Sequence, residues 1–135
     1  MRKKRILFID DEPYEMKSIR DALEHSERYE VSLAQTGDEA LKIIHSGKEF
    51  DLFILDVIMP SESDKRPPEN NRTTGLRIAK EIRKKFPRTP IICLSVVTDR
   101  WVKNQMRELG AYYIEKPALP SEVLEEVEFF LGRKV

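Results

Sequence analysis

The chain has one cysteine, Cys93, in 135 residues. No internal disulfide is possible, and a reducing compartment is expected. Cys93 lies inside the apolar run "PIICLSVV" and reads as a small core residue. An excess of one charge sign is also missing, because 24 Lys plus Arg balance 24 Asp plus Glu. A dedicated nucleic-acid surface would leave a basic excess, so no direct nucleic-acid contact is expected. No apolar run approaches the length of a membrane span. The run "ILFI" behind the basic N-terminus is far too short for a signal peptide. Histidine is scarce: His25 and His45 are the two, and both fall on helical patterns as surface residues. These absences point to a cytoplasmic, soluble chain with no membrane attachment.

What is present is charge and alternation. Charged residues make up 36% of the chain, as well-solvated helix faces require. The length suits one domain with a real core, so residues 1–135 are read as a single domain. Short apolar runs recur at 5–9, 29–34, 50–55, 90–97 and 111–114. The first, third and fourth are nearly continuous, as expected of strands covered on both faces. Helical spacing lies between them. It is carried by Met16, Ile19 and Leu23, then by Ala40, Leu41, Ile43 and Ile44 behind a capping box from Thr36 to Glu39. A third stripe runs from Leu76 to Phe86. A fourth is marked by Trp101, Val102 and Met106 and ended by Gly110, and a fifth runs from Val123 to Leu131 after Pro120 and Ser121. Strand and helix alternating with short connections mean an α/β fold, a parallel sheet wound on both sides by helices. One stretch breaks the rhythm. "PSESDKRPPENNRTTG" (60–75) is polar, proline-bearing and aperiodic, so a long loop is expected there.

The strands deliver chemistry at their carboxyl ends, where open parallel sheets bind ligands. The first ends at Asp10 and Asp11, the third at Asp56, the fourth at Ser95, and the fifth leads to Lys116. With strand order 2-1-3-4-5, three carboxylates, a hydroxyl and an ammonium would share one shallow pocket. Clustered carboxylates raise each other's pKa unless a cation sits among them. Hard oxygen ligands without nitrogen or sulfur favour Mg²⁺ over zinc. A carboxylate can attack phosphorus to give an acyl phosphate, with a divalent ion and a lysine neutralising the transferred group. Taken singly, each residue has a plainer role. Asp10, Asp11 and Glu12 would complement a helix dipole, Asp56 would start a turn, Ser95 would cap a helix, and Lys116 would be solvated. Glu12 keeps the plainer role.

These residues in this order resemble the receiver domain of two-component response regulators. The resemblance covers almost the whole chain: "RILFIDDEP" with Asp10 and Asp11, Asp56 ahead of "MP" at 59–60, Ser95 after an apolar strand, "KP" at 116–117, and Tyr113 three residues before the lysine. It implies a doubly wound five-stranded flavodoxin-like sheet of order 2-1-3-4-5. It implies Asp56 as phosphoacceptor, with Mg²⁺ held by Asp11 directly, Asp10 mainly through water, Asp56, and the backbone carbonyl of Ile58. Lys116 and Ser95 would contact the phosphoryl group. Ser95 would draw the loop after strand 4 with it, leaving a gap into which the Tyr113 ring turns. The donor would be a histidine kinase or phosphotransfer protein, and a downstream protein partner would read the face from strand 4 to helix 5. Phosphorylated copies would be able to pair as a homodimer through helix 4, strand 5 and helix 5. The chain would not be an enzyme in the usual sense, since it catalyses only its own phosphorylation and dephosphorylation.

Two departures stand out. Receivers usually place a glycine a few residues after "MP", and here Gly75 comes fifteen positions after Pro60. The loop at 60–75 is therefore enlarged, by roughly a dozen residues against the short connections usual in such folds. Val96 follows Ser95 where the family often has a small residue. The enlarged loop sustains a rival reading, a receiver-like protein-binding module that is not phosphorylated in practice and uses 60–75 as its contact surface. A Mg²⁺-dependent phosphohydrolase is disfavoured, because such enzymes separate their two acids by one residue and Asp10 and Asp11 are adjacent. Output would fall either to a partner or to a further part of a longer protein.

Overall fold

The computed structural model describes residues 3–10, 17–56, 72–95, 100–116 and 118–132, with Asp56, Ser95 and 72–74 described by their backbone alone. Five strands alternate with five helices: β1 (Lys4–Ile9), α1 (Lys17–His25), β2 (Tyr29–Ala34), α2 (Gly37–Ile44), β3 (Leu52–Asp56), α3 (Arg72–Lys85), β4 (Ile91–Ser95), α4 (Arg100–Glu108), β5 (Tyr112–Glu115) and α5 (Pro120–Leu131). All strand pairs are parallel, in the order β2-β1-β3-β4-β5. The order explains the sequence pattern. The inner strands β1, β3 and β4 are buried on both faces, so Ile6 to Ile9, Leu52 to Leu55 and Ile91 to Leu94 are continuously apolar. The edge strands carry exposed polar residues, Glu30 on β2 and Glu115 on β5, which also discourages pairing with a foreign edge.

Strand alternation divides the core in two. Leu7, Ile9, Phe53, Leu55, Ile91 and Cys93 face α2, α3 and α4, meeting Ala40, Ile44, Ile78, Ile82, Val102 and Met106. Ile6, Phe8, Leu52, Ile54, Ile92 and Leu94 face α1 and α5, meeting Ile19, Leu23, Val123 and Val127. Each fully buried side chain of this size contributes about 1.5–3 kcal/mol over leaving it exposed. Phe53 anchors the first layer, its ring tilted against Phe50 at 5.5 Å and Phe86 at 5.1 Å.

Local signals set the helix ends. Thr36 caps α2 by accepting from the Glu39 amide at 3.1 Å. The reciprocal arm of the expected capping box reaches one residue further, since Glu39 Oε2 accepts from the Gln35 amide at 3.3 Å. Beyond α4, Gly110 adopts φ +78°. Its amide donates to the Arg107 carbonyl at 2.9 Å, and the Ala111 amide to the Met106 carbonyl at 3.0 Å. This paired closure requires a left-handed residue, which glycine adopts without strain. Pro120 opens α5 at its first turn, where a missing N–H does no harm.

One sequence expectation changes and one open choice is decided. The expected loop at 60–75 is shortened from its far end, because α3 begins at Arg72 and Gly75 is buried within it. A helix's first turn need not carry an apolar stripe, so periodicity starting at Leu76 could not reveal it. The rest of that loop lies outside the described residues. Trp101 on α4, which the sequence left between core residue and exposed partner anchor, is 52% exposed, while Val102 and Met106 fill the core.

Candidate functional site

The register places the expected site residues along the carboxyl end of the sheet. Ile9 pairs with Leu55, so Asp10 and Asp56 each stand one residue beyond that pair on neighbouring strands, whose backbones run about 4.8 Å apart. The Asp10 amide donates to the Ala34 carbonyl at 2.9 Å, extending the β1–β2 ladder by one step and fixing Asp10 at the rim. Asp56 is level with Leu94 on β4, and Ser95 is level with Glu115 on β5. Lys116 follows in the bend after β5 and is half-buried. The topology thus brings Asp10, Asp56, Ser95 and Lys116 to one end of the sheet. Asp11 and Ile58 lie outside the described residues, as does Val96.

Asp10 is 1% exposed, the one buried charged side chain among the described residues. Burial of an ionised carboxylate is expensive unless a cation or hydrogen bonds compensate it. Among the described residues, neither the cysteine nor the two histidines line this rim. Cys93 faces the α4 layer, where its Sγ lies 3.6 Å from Met106 Sδ, and His25 and His45 are exposed at the ends of α1 and α2. A buried acid with a second acid's backbone level with it, and no described cysteine or histidine at the rim, fits a small hard cation such as Mg²⁺. Among the described residues, no group of three or more His, Cys, Asp or Glu side chains is gathered.

Tyr113 pairs in register with Cys93 and is half-buried against the α2–α3–α4 layer. Sequence spacing did not reveal its neighbour on α4. Lys103 Nζ lies 5.3 Å from the Tyr113 ring centroid and 2.5 Å from Glu115 Oε1. The hydrogen bond from Lys103, reinforced by its charge, holds the Glu115 carboxyl below its ordinary range. Lys103 and Glu115 are twelve residues apart on different elements, so no helical or strand period links them.

A groove of about 670 Å³ lies at the opposite end of the sheet, before β4 and β5, lined in part by Pro87, Arg88, Leu109 and Phe130. None of the described site residues lines it. Its wall includes Arg83, whose guanidinium donates to the carbonyls of Leu109 (2.8 Å), Phe86 (3.0 Å) and Thr89 (2.8 Å). One side chain thereby ties the ends of α3 and α4 together.

Residues 6–128 match the response regulator receiver domain, and the chain belongs to that family. Among curated relatives, it is 33% identical over 127 residues to the transcriptional regulatory protein DltR of Streptococcus agalactiae, covering 91% of this chain and 50% of that protein. It is 35% identical over 133 residues to the probable transcriptional regulator ycf27 of Cyanidium caldarium, covering 98% and 48%. The chain therefore spans about half the length of the curated relatives it matches. Among solved structures, it is similar to a CheY-like response regulator receiver domain protein from Methanospirillum hungatei, with TM-score 0.79, 27% identity, and 95% and 93% of the two chains covered. The BeF3-activated receiver domain of DrrB is similar at TM-score 0.76 and 26% identity, with 98% and 100% covered. The order 2-1-3-4-5 and the five helices are those expected. Among the described residues, no helix is long and apolar enough to cross a membrane.

Proposed function

We propose that this receiver is a phosphorylation-controlled switch with Asp56 as its acceptor. The observation that carries the reading is the buried Asp10 carboxylate at the rim, with Asp56 level with it on the next strand. A carboxylate oxygen of Asp56 attacks the phosphorus of a phosphohistidine on a kinase or phosphotransfer protein. The new P–O bond forms as the P–N bond breaks, and the electron pair returns to the imidazole nitrogen. Lys116 pairs with the phosphoryl oxygens, and the Ser95 hydroxyl donates a hydrogen bond to one of them. Asp10, Asp11, Asp56 and the Ile58 carbonyl would hold Mg²⁺, which supplies positive charge at the phosphoryl oxygens. The added charge biases a two-state element, the face from β4 to α5, and a downstream protein reads that face in the cytoplasm. Turnover of an external substrate is not part of this function.

Incubation with acetyl phosphate and Mg²⁺, followed by intact-protein mass measurement, tests the reading. The parent gains one phosphoryl group and Asp56→Asn gains none. No addition to the parent, with Mg²⁺ binding verified separately, overturns the switch in favour of a constitutive binding module. Equal addition to both proteins overturns Asp56 as acceptor.

A further inference from the structure

We infer that Lys103 on α4 is a positioning residue of the switch, a latch that holds the Tyr113 ring in its half-buried arrangement and opens when the β4-to-α5 face changes. The inference rests on the proposed phosphorylation switch and adds to it a residue that restrains the resting arrangement.

The geometry points to Lys103 because its ammonium serves two partners at once. It lies over the Tyr113 ring at 5.3 Å and contacts Glu115 Oε1 at 2.5 Å. The lysine side chain is 22% exposed and the glutamate 61%. The cation is thus the sheltered partner, and a partly desolvated cation binds a ring face more strongly than an exposed one. Val102 and Met106 anchor the same helix in the core, so Lys103 transmits α4 position to β5.

Glu115 stands where the site would act. It pairs in register with Ser95 and directly precedes Lys116. A displacement of either residue towards a phosphoryl group therefore shifts the backbone that carries the latch acceptor. A Tyr113 ring turned inward no longer offers its face to the ammonium. Both halves of the contact favour the arrangement seen here and oppose the alternative. By linkage, their loss raises the affinity for any ligand selective for the alternative.

The test is an amide NMR titration of the 135-residue chain with beryllofluoride and Mg²⁺, comparing the parent with Lys103→Met and Lys103→Gln. Both substitutions are expected to tighten binding by about two- to fivefold, the scale of a partly sheltered cation–π contact plus a surface ion pair. The sign is decisive. A lysine acting only as a nearby positive charge would, on removal, weaken the binding of an anion. In a Tyr113→Leu background the gain falls to under about half, because the ring partner is gone. Unchanged or weaker binding in both lysine variants overturns the latch and leaves the switch intact. A parent that binds no beryllofluoride overturns the switch reading and the latch with it.

Discussion

Replacing Arg83 with methionine tests whether one side chain fastens two helix ends. Its three hydrogen bonds run to Leu109, Phe86 and Thr89 at 2.8–3.0 Å. The first carbonyl closes α4 and the other two follow α3. Burial lowers the Arg83 pKa from its ordinary value, yet an arginine stays charged at any accessible pH. Hydrogen bonds from a charged donor are worth about 1.5–3 kcal/mol each. The site is half-buried, however, so water replaces part of what is lost. The expected destabilisation is roughly 2–4 kcal/mol in total. At this chain length each kcal/mol lowers Tm by about 3–5 °C, which gives a drop of roughly 6–20 °C. Lysine at 83 recovers under about half, because a point charge cannot reproduce the planar fork that reaches three carbonyls. Urea unfolding followed by circular dichroism measures the change. A methionine variant within about 0.5 kcal/mol of the parent would refute the clamp, since ordinary surface substitutions fall in that range.

Three further outcomes follow from the same geometry. Mg²⁺ raises the unfolding midpoint of the parent, by about 2.7 kcal/mol in stability when its concentration is a hundred times Kd. Asp10→Asn weakens that effect about 10- to 100-fold in affinity, and an equal Mg²⁺ response in both proteins would remove Asp10 from the site. Thr36→Ala costs about 1 kcal/mol through loss of the α2 cap; urea midpoints check it, and an unchanged midpoint counts against the cap. Glu115 titrates below an ordinary glutamate because Lys103 stabilises its charged form. Its folded-state pKa is depressed, so its contribution is present above the unfolded value and fades as pH falls through the folded one. A carboxyl NMR titration should show the midpoint moving back up in Lys103→Met, and an unmoved midpoint would break the pairing.

The sequence by itself determined the five strands, the five helices and the acids at the strand ends. Those features are local: continuous apolar runs mark strands buried on both faces, helical spacing marks stripes, and Thr36 and Gly110 mark helix ends. The order of residues around Asp10, Asp56, Ser95 and Lys116 was enough to bring the family into view. The start of α3 was hidden, since a first turn with Gly75 carries no apolar signal. The sequence left Trp101 undecided between core and surface, because adjacent apolar residues on a helix point in different directions and spacing did not say which faces inward. Only the tertiary structure decided that Asp10 is buried and level with Asp56, that Arg83 joins α3 to α4, and that Lys103 covers Tyr113 beside Glu115. Each of these depends on two elements meeting in space, and the free energy of such a contact is set by distance and desolvation, which no spacing along the chain encodes.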